Sequence, residues 1–462
     1  MAKEIKHIND TVSDLPEGFK MTELGPLPEE WEVVRLKDMV VSIISGDWGE
    51  DEPEDDYEAC YVLRGTDFKI AEMGNLTNVP VRYIKKSSVE KRKLLHGDLL
   101  VELSGGSKDQ PTGRVMLVTN NLLKNVLRPV VFSNFVKRIR LVDKIDPYYL
   151  RQQWEFFYLT GKTRIYEKRT TGIRNFKLQD FLENERISIP PLSEQKAIAY
   201  VLQTVQRAKE ATEKVIQATQ ELKKSLMRHL FTYGPVSVDE VDKVQLKETE
   251  IGLVPEHWEV VRFKEIATIG NTKSNLPPQV AIPFIPMSFI PDDYLYITNW
   301  ELRKPGNVRS GVVIRNGNLL LAKITPSLEN GKQGIVQGLP GGWGYATTEV
   351  FPIRTSKSMM LEFLAIYLRI PKIRKILASK MEGTTGRQRL PKSVLMHLMI
   401  PLPPLHEQNQ IVRILMLVDK KLQAEEVKKQ ALETLFQSLL HHLMTGKLRV
   451  KDIILPETKE MI

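Results

Sequence analysis

The chain has 462 residues, 42% hydrophobic and 27% charged, a globular balance that excludes collagen-like or disordered chemistry and is too long for one ordinary core. A formal net charge of +9 and a pI near 9.2 make a polyanion a candidate partner, because basic surfaces attract phosphate by long-range fields and counterion release. The single cysteine, Cys60, excludes an internal disulfide or a Cys-based metal cluster and fits a reducing compartment.

Residues 1–22 are expected to be an N-terminal extension without a counterpart elsewhere. Charges in Met1–Asp10 stand where a signal peptide would need an apolar core, and no apolar run approaches the roughly 20 residues that cross a bilayer, so no membrane contact and a cytoplasmic location are expected. From Glu23 the chain opens a block that it later repeats. Glu23-Leu24-Gly25 leads to Pro28-Glu29-Glu30-Trp31-Glu32-Val33-Val34-Arg35-Leu36-Lys37, a Pro-x-x-Trp turn feeding an alternating strand. Residues 23–186 then read as a mixed α/β domain of short apolar runs broken by Gly, Pro and Asn. Within it, Asp47–Glu58 carries eight acidic residues of twelve, a loop expected to be solvated and to face away from a polyanion.

The domain closes with Ile187-Ser188-Ile189-Pro190-Pro191-Leu192-Ser193-Glu194-Gln195, in which Ser193 is the expected N-cap and Glu194 complements the dipole of the helix that follows. The apolar rhythm Ile198, Val201, Val205, Ala208, Thr212, Val215, Thr219, Leu222, Leu226 predicts a first spacer helix within 187–234. Its length is about 40 residues, or roughly 60 Å. A linker, 235–249, separates it from the second copy.

That copy, 250–399, opens with Glu250-Ile251-Gly252 and Pro255-Glu256-His257-Trp258-Glu259-Val260-Val261-Arg262-Phe263-Lys264, and closes with Ile400-Pro401-Leu402-Pro403-Pro404-Leu405-His406-Glu407-Gln408. A second spacer helix is predicted within 400–447, its stripe of Ile411, Ile414, Val418, Leu432, Leu435 and Leu439 interrupted by Glu425 and Lys428; 448–462 is a tail. Inside the two domains, Gly97-Asp98-Leu99-Leu100-Val101 and Gly113-Arg114-Val115 are aligned with Gly317-Asn318-Leu319-Leu320-Leu321 and Gly334-Ile335-Val336. The intervening loops, Ser104-Gly105-Gly106-Ser107-Lys108-Asp109 and Ile324-Thr325-Pro326-Ser327-Leu328-Glu329, share nothing. One frame with two unlike loops suits two readers of different targets, since recognition residues sit on loops carried by rigid scaffolds.

The duplicated Gly-x-x-Pro-x-x-Trp opening, the Gly-Asp/Asn-Leu-Leu strand and the Ile-Pro-Leu-Pro-Pro-Leu-x-Glu-Gln helix entry resemble the specificity subunits of type I restriction-modification systems, from about Glu23 to Lys447. Copy one departs at Ser188, where the commoner residue is proline, as at Pro401. The resemblance implies two target recognition domains held apart by two antiparallel coiled-coil helices in a pseudo-two-fold repeat. It also implies double-stranded DNA as ligand, each domain reading half of a split asymmetric site. Partners would be two adenine methyltransferase subunits and the restriction subunits, which would hold S-adenosylmethionine, ATP and Mg²⁺; this chain would carry no cofactor.

Catalytic motifs are missing from the sequence. No Asn/Asp-Pro-Pro-aromatic tetrapeptide occurs, and Asn275-Leu276-Pro277-Pro278-Gln279 fails in order and in lacking the aromatic. Gly161-Lys162-Thr163 lacks the upstream glycine of a phosphate loop, where Phe156 stands, and Gly331-Lys332 is followed by Gln333 instead of a hydroxyl residue. Pro291-Asp292-Asp293 has no nuclease lysine in range, and His441-His442 has no cysteine neighbour to make a metal site. Other readings are a specificity subunit of another restriction class and a coiled-coil scaffold that reads no DNA.

Expected DNA contacts are polar and basic residues of the non-repeated segments: Arg64, Arg82, Lys85, Lys86, Ser107, Lys108, Arg114, Arg169, Thr170 and Arg174 in the first domain. In the second they are Lys273, Asn275, Lys323, Ser327, Asn330, Lys332, Arg387, Gln388 and Arg389. Thr170-Thr171-Gly172 and Thr384-Thr385-Gly386 recur at equivalent places, each followed by basic residues suited to phosphate.

Overall fold

The computed structural model describes residues 15–105, 110–124, 126–170, 173–270, 280–304, 310–384 and 386–452. Two compact units emerge, the first running to Ala211 and resuming at Lys429, the second spanning Thr212–Lys428.

In the first unit, a four-stranded antiparallel sheet has the order Val40–Ser45, Val136–Leu141, Leu99–Glu102, Val115–Leu117. Leu99, Leu100 and Val101 are fully buried, which is why this central strand reads as a continuous apolar run. A second sheet sets Tyr57–Leu63 parallel to Val130–Phe132 and antiparallel to Val81–Lys85. The second unit repeats the plan. Ala267–Ile269, Val350–Thr355, Leu319–Ala322 and Gln333–Val336 form the antiparallel sheet, extended by Tyr296–Ile297, and Ile282–Ile285 lies parallel to Trp343–Ala346 and antiparallel to Glu301–Arg303.

The hydrogen-bond ladders correct the alignment of the two copies. Glu102 N donates to Arg114 O (2.9 Å) and Val118 N to Asp98 O (2.8 Å), while Ala322 N donates to Lys332 O (3.0 Å) and Val336 N to Asn318 O (2.8 Å). Gly113-Arg114-Val115 therefore matches Gly331-Lys332-Gln333, three residues before Gly334-Ile335-Val336. Both leading glycines have left-handed backbone, φ +85° at Gly113 and +80° at Gly331, the conformation that glycine alone adopts without strain. The Gly-x-Val similarity misled because pattern matching ignores register, which in a sheet is set by the ladder.

The repeat also starts earlier than Glu23. Phe19–Thr22 pairs with Gly25–Pro28 in the register that Leu246–Thr249 uses with Gly252–Pro255, and Thr22 and Thr249 each donate a hydroxyl to the glycine carbonyl three residues on. The end of the expected N-terminal extension and the end of the expected linker are thus equivalent hairpin strands.

The duplicated opening and closing motifs meet in each unit. Glu32–Arg35 pairs with Arg186–Ile189, and Glu259–Arg262 with Met399–Leu402. The fully buried Trp31 donates its indole N–H to Glu194 (3.0 Å), and Trp258 does the same to Glu407 (2.8 Å). Gln195 is buried and spans Pro190 O (2.9 Å) and the Asp146 N–H (2.8 Å); Gln408 spans Pro403 O (2.7 Å) and the Met360 N–H (2.8 Å). The Glu-Gln pair thus ties the start of each long helix to its domain, with both the oxygen and the nitrogen of each buried amide hydrogen-bonded. In the first unit Ser188 Oγ donates to Met444 O (3.1 Å), so the distal end of the second helix closes on the first domain.

The long helices are Leu192–Tyr233 and Leu405–Met444. Ser193 is not the N-cap, since the helix has begun by Leu192 and the Glu194 and Gln195 amides donate to Pro191 O. The seam is also shifted. Residues 198, 205, 212, 219 and 226 face inward as expected, but the alternating row is 202, 209, 216, 223 and 230, whereas Val215 and Leu222 are exposed. Hydrophobicity alone chose the wrong row because two inward positions are lysines. Lys209 pairs with Glu433 (2.7 Å) in the first unit and Lys223 with Asp419 in the second, both with residue numbers summing to 642, the signature of antiparallel pairing. Glu425, the expected interruption, is indeed turned inward and pairs with Lys421 (2.6 Å). Partly exposed ion pairs each contribute up to about 1 kcal/mol, against about 1.5–3 kcal/mol for a fully buried Ile or Leu. Apolar packing at Ile198, Leu202, Ile411 and Leu415 therefore holds each half of the pair, and the charges select its orientation.

Candidate nucleic-acid interface

The structure brings together two segments that the sequence left apart. In the first unit the hairpin Glu167–Thr170/Ile173–Phe176 docks on Ser104–Gly105, with Asn175 opposite Ser104 and Arg174 opposite Gly105. In the second, the hairpin Glu382–Thr384/Arg387–Arg389 meets Ile324-Thr325, Arg389 bridging Ile324 and Thr325 N donating to Gln388 O (3.1 Å). One step back, Phe176 N donates to Leu103 O and Leu390 N to Lys323 O, both at 2.7 Å. The residues just after the central strand and the hairpin strands on either side of Thr-Thr-Gly thus form one junction in each domain, built on the same ladder.

The expected contact residues fall into three groups. Several basic side chains are held by the fold. Arg64 is bidentate to Asp67 (3.0 and 2.9 Å), Arg114 to Glu102 (2.9 and 2.5 Å), and Arg389 to Glu349 (2.9 and 2.7 Å). Arg174 pairs with Glu167 (3.4 Å), Lys332 donates to Ile290 O (2.8 Å), and Lys323 lies 5.1 Å from the Phe351 ring centroid. Arg82 is bound by the Trp48 and Gly49 carbonyls and by Asp51. A second group, Lys85, Lys86, Asn330 and Arg387, is exposed, and Gln388 half-buried, while Ser327 is buried in its loop. The third group, Ser107, Lys108, Lys273 and Asn275, lies outside the described residues, as do the side chains of Arg169 and Thr170, whose backbone is in a hairpin strand.

The acidic loop departs from the expectation of simple solvation. Asp51–Asp56 is exposed, but Asp47 accepts from Ser88 and the Gly49 N–H, and Glu50 exchanges backbone hydrogen bonds with Tyr83, so the loop is fastened beside the basic strand Val81–Lys85.

Two carboxylates at the junctions were not anticipated. Glu102 ends a strand that is otherwise apolar and is 3% exposed; the Gly65 and Gly105 backbones approach it so closely that an added Cβ would stand 2.4 and 2.9 Å from its Oε1. Glu349 is held below the usual carboxylate range by its hydrogen bond to Arg389, and Arg114 holds its proton more tightly for its bond to Glu102. A charged residue closing the Leu-Leu-Val run was the available sequence signal for Glu102. Nothing comparable marked Glu349.

Duplicated polar junctions on a duplicated frame define a protein with two related but unlike binding heads. A family model described as the type I restriction modification DNA specificity domain matches residues 28–224 and 255–434, and the chain belongs to this family. Its members are the non-catalytic, DNA-recognising subunits of type I systems. The chain is 26% identical over 455 residues to the type I restriction enzyme MjaVIII specificity subunit of Methanocaldococcus jannaschii, spanning 95% of this chain and 97% of that protein. It is 33% identical over 196 residues to the EcoEI specificity subunit of Escherichia coli, spanning 40% of this chain and 33% of the relative. The crystal structure of a type I restriction-modification S subunit from M. genitalium shares the fold at a TM-score of 0.55 and 14% identity, over 93% of this chain and 98% of that one.

Proposed function

We propose that each domain reads one half of a bipartite, asymmetric DNA site through its loop–hairpin junction, and that the long helices set the gap between the halves. The observation that carries this reading is the pair of junctions with matching ladders and unlike side chains. Matching backbones give both domains the same approach to a duplex, and unlike side chains give them different base edges to read. Two different heads make an asymmetric target, and a fixed helix length makes a fixed gap, as half-site spacing does in dimeric readers.

Chemistry on the DNA is then supplied by partners. Two methyltransferase subunits hold S-adenosylmethionine and modify an adenine in each half-site, and restriction subunits hold ATP and Mg²⁺, all in the cytoplasm. Among the described residues no group of three or more His, Cys, Asp or Glu is placed to hold a metal, and no helix is long and apolar enough to cross a membrane.

Long-read sequencing of host DNA with base-modification detection tests the reading. The expected result is a split asymmetric motif with modified adenines in both halves, lost on deletion of this gene. A methylome unchanged by the deletion would leave a scaffold without sequence preference as the better account.

A further inference from the structure

Arg114 and Arg389 are each clamped side-on by a glutamate at the junction of their own domain. In both, Nε and Nη2 donate to the two oxygens of one carboxylate, Glu102 in the first domain and Glu349 in the second. Among the described residues, neither Nη1 makes a hydrogen bond, so the end-on edge of the guanidinium, Nη1 with the remaining Nη2 hydrogen, is left for a ligand. Arg64, clamped in the same way by Asp67, differs in spending its Nη2 on Asn78 O (3.4 Å) as well.

The clamps occupy non-equivalent places on the shared frame. By ladder register Arg114 matches Lys332, and Arg389, opposite Ile324, matches Asn175, opposite Ser104. Glu102 matches Ala322, so neither domain could build the other's pair. A phosphate contact would serve both heads equally at equivalent positions, because the DNA backbone is the same in both half-sites. A base contact would not, and non-equivalent placement is what reading two different sequences requires.

Resting on the DNA-reading assignment above, we infer that Arg114 and Arg389 are the base-reading groups of the two domains, each presenting its end-on edge to the O6 and N7 acceptors of one guanine. Glu102 and Glu349 are positioning residues, fixing the guanidinium plane before DNA arrives. Guanine is the base whose major-groove edge offers two adjacent acceptors to such a fork. Orientation held by a carboxylate reduces the side-chain ordering that binding would otherwise require. The side chain of Arg114 is 23% exposed and that of Arg389 51% exposed, so neither is sealed off from solvent.

The test uses the assembled methyltransferase complex and competition binding against duplexes in which each base pair of the mapped target is replaced in turn. Arg389→Gln should lose discrimination at one G·C pair of one half-site by about ten- to a hundredfold, with the other half-site read as before. Arg114→Gln should do the same in the opposite half, and the double variant Glu102→Gln/Arg114→Gln, which leaves no buried carboxylate unpaired, should repeat the result if folding of the single variant is impaired. Glu349→Gln should weaken discrimination at the Arg389 position by a smaller factor, and Arg389→Lys, which keeps charge but loses the fork, should not restore it. Uniform weakening on all duplexes, with the salt slope falling by about one and Lys restoring it, would mark a phosphate contact and overturn the inference. Wild-type complex binding every duplex alike would instead overturn the assignment on which it rests.

Discussion

The two domains agree in ladder and differ in charge. From Gly97 to Val118 and from Gly317 to Val336 the central hairpins share their backbone bonds, and in both units the Thr-Thr-Gly hairpin docks on the same residue after the central strand. The side chains placed on that frame are nearly unrelated, with a buried carboxylate at Glu102 where the other copy has Ala322. Duplication therefore preserved what backbone hydrogen bonding dictates and released the side chains at the junctions, even at a buried strand end such as Glu102 and Ala322.

The comparison is broken most strongly by changing the connection between the heads while leaving both heads intact. Seven residues inserted in each long helix, after Ala211 and after Lys428, keep every seam position in phase and lengthen the pair by about 10 Å. At 3.4 Å per base pair step along the axis, the recognised gap should grow by about three base pairs, while the half-site sequences stay as they were. Methylation sequencing reads both quantities at once. An unchanged gap would show that the helices do not set it.

A second test asks whether the equivalent latches are equally important. Glu194 accepts from Trp31 and is also bidentate to Arg449 (2.7 and 2.8 Å), which reaches on to Glu30 and lies 5.9 Å from the Trp31 ring centroid. Glu407 accepts from Trp258 and from His257 (2.7 Å), whose side chain is 56% exposed. Glu194→Ala strips a buried indole and a guanidinium of their partner and should cost about 3 kcal/mol, whereas Glu407→Ala should cost about half as much. Denaturant unfolding of the two variants gives the order; equal losses would mean that the Arg449 pair adds nothing. The guanidinium of Arg449 also pulls Glu30 below the usual carboxylate range, so the folded pKa is depressed. This contribution is present above the unfolded carboxylate pKa and disappears as pH falls through the lower folded value. The stability lost in a Glu30→Ala variant should therefore shrink on acidification.

How much of this was legible in the sequence follows physical lines. The frame was legible, because Pro-x-x-Trp and Leu-x-Glu-Gln recur for a reason that the fold supplies: Trp31 and Glu194, or Trp258 and Glu407, are partners. Their pairing was not, since a hydrogen bond across 163 residues leaves no local pattern. The long helices were legible from period, but half of the seam was misplaced because Lys209 and Lys223 sit where a hydrophobic rule expects Val or Leu. The first hairpin strand leaves little signal, since Phe19-Lys20-Met21-Thr22 and Leu246-Lys247-Glu248-Thr249 share Lys and Thr alone, too short a match to outweigh chance. At the junctions the residue types were readable and the geometry was not, for Arg114 and Arg389 show their orientation only through the carboxylates that hold them.

The lysines of the seam give the third test, with a smaller effect. Lys209→Glu should destabilise the first unit by about 1 kcal/mol, and Glu433→Lys in the same chain should recover most of it, since the two charges exchange places at one antiparallel level. Lys223→Glu with Asp419→Lys repeats the design in the second unit. Additive losses in either double-mutant cycle would mean that the ion pair sets no orientation there.

The smallest effect concerns the single cysteine. Cys60 lies in the strand Tyr57–Leu63, fully buried among Val62, Ile84, Val89 and Val131, and burial together with the charge of Glu58 pushes its thiol up to about 12. Thiolate, not thiol, is the nucleophile, so at neutral pH the folded chain should react with a thiol reagent far more slowly than the unfolded chain, whose thiol titrates near its ordinary value. Cys60→Ala should leave DNA binding unchanged, because the side chain is fully buried and presents nothing to a ligand. Rapid labelling of the native protein would show that the sheet holding Arg82 and Lys85 opens readily. Its basic strand would then be a mobile element, not part of the rigid frame that the two domains share.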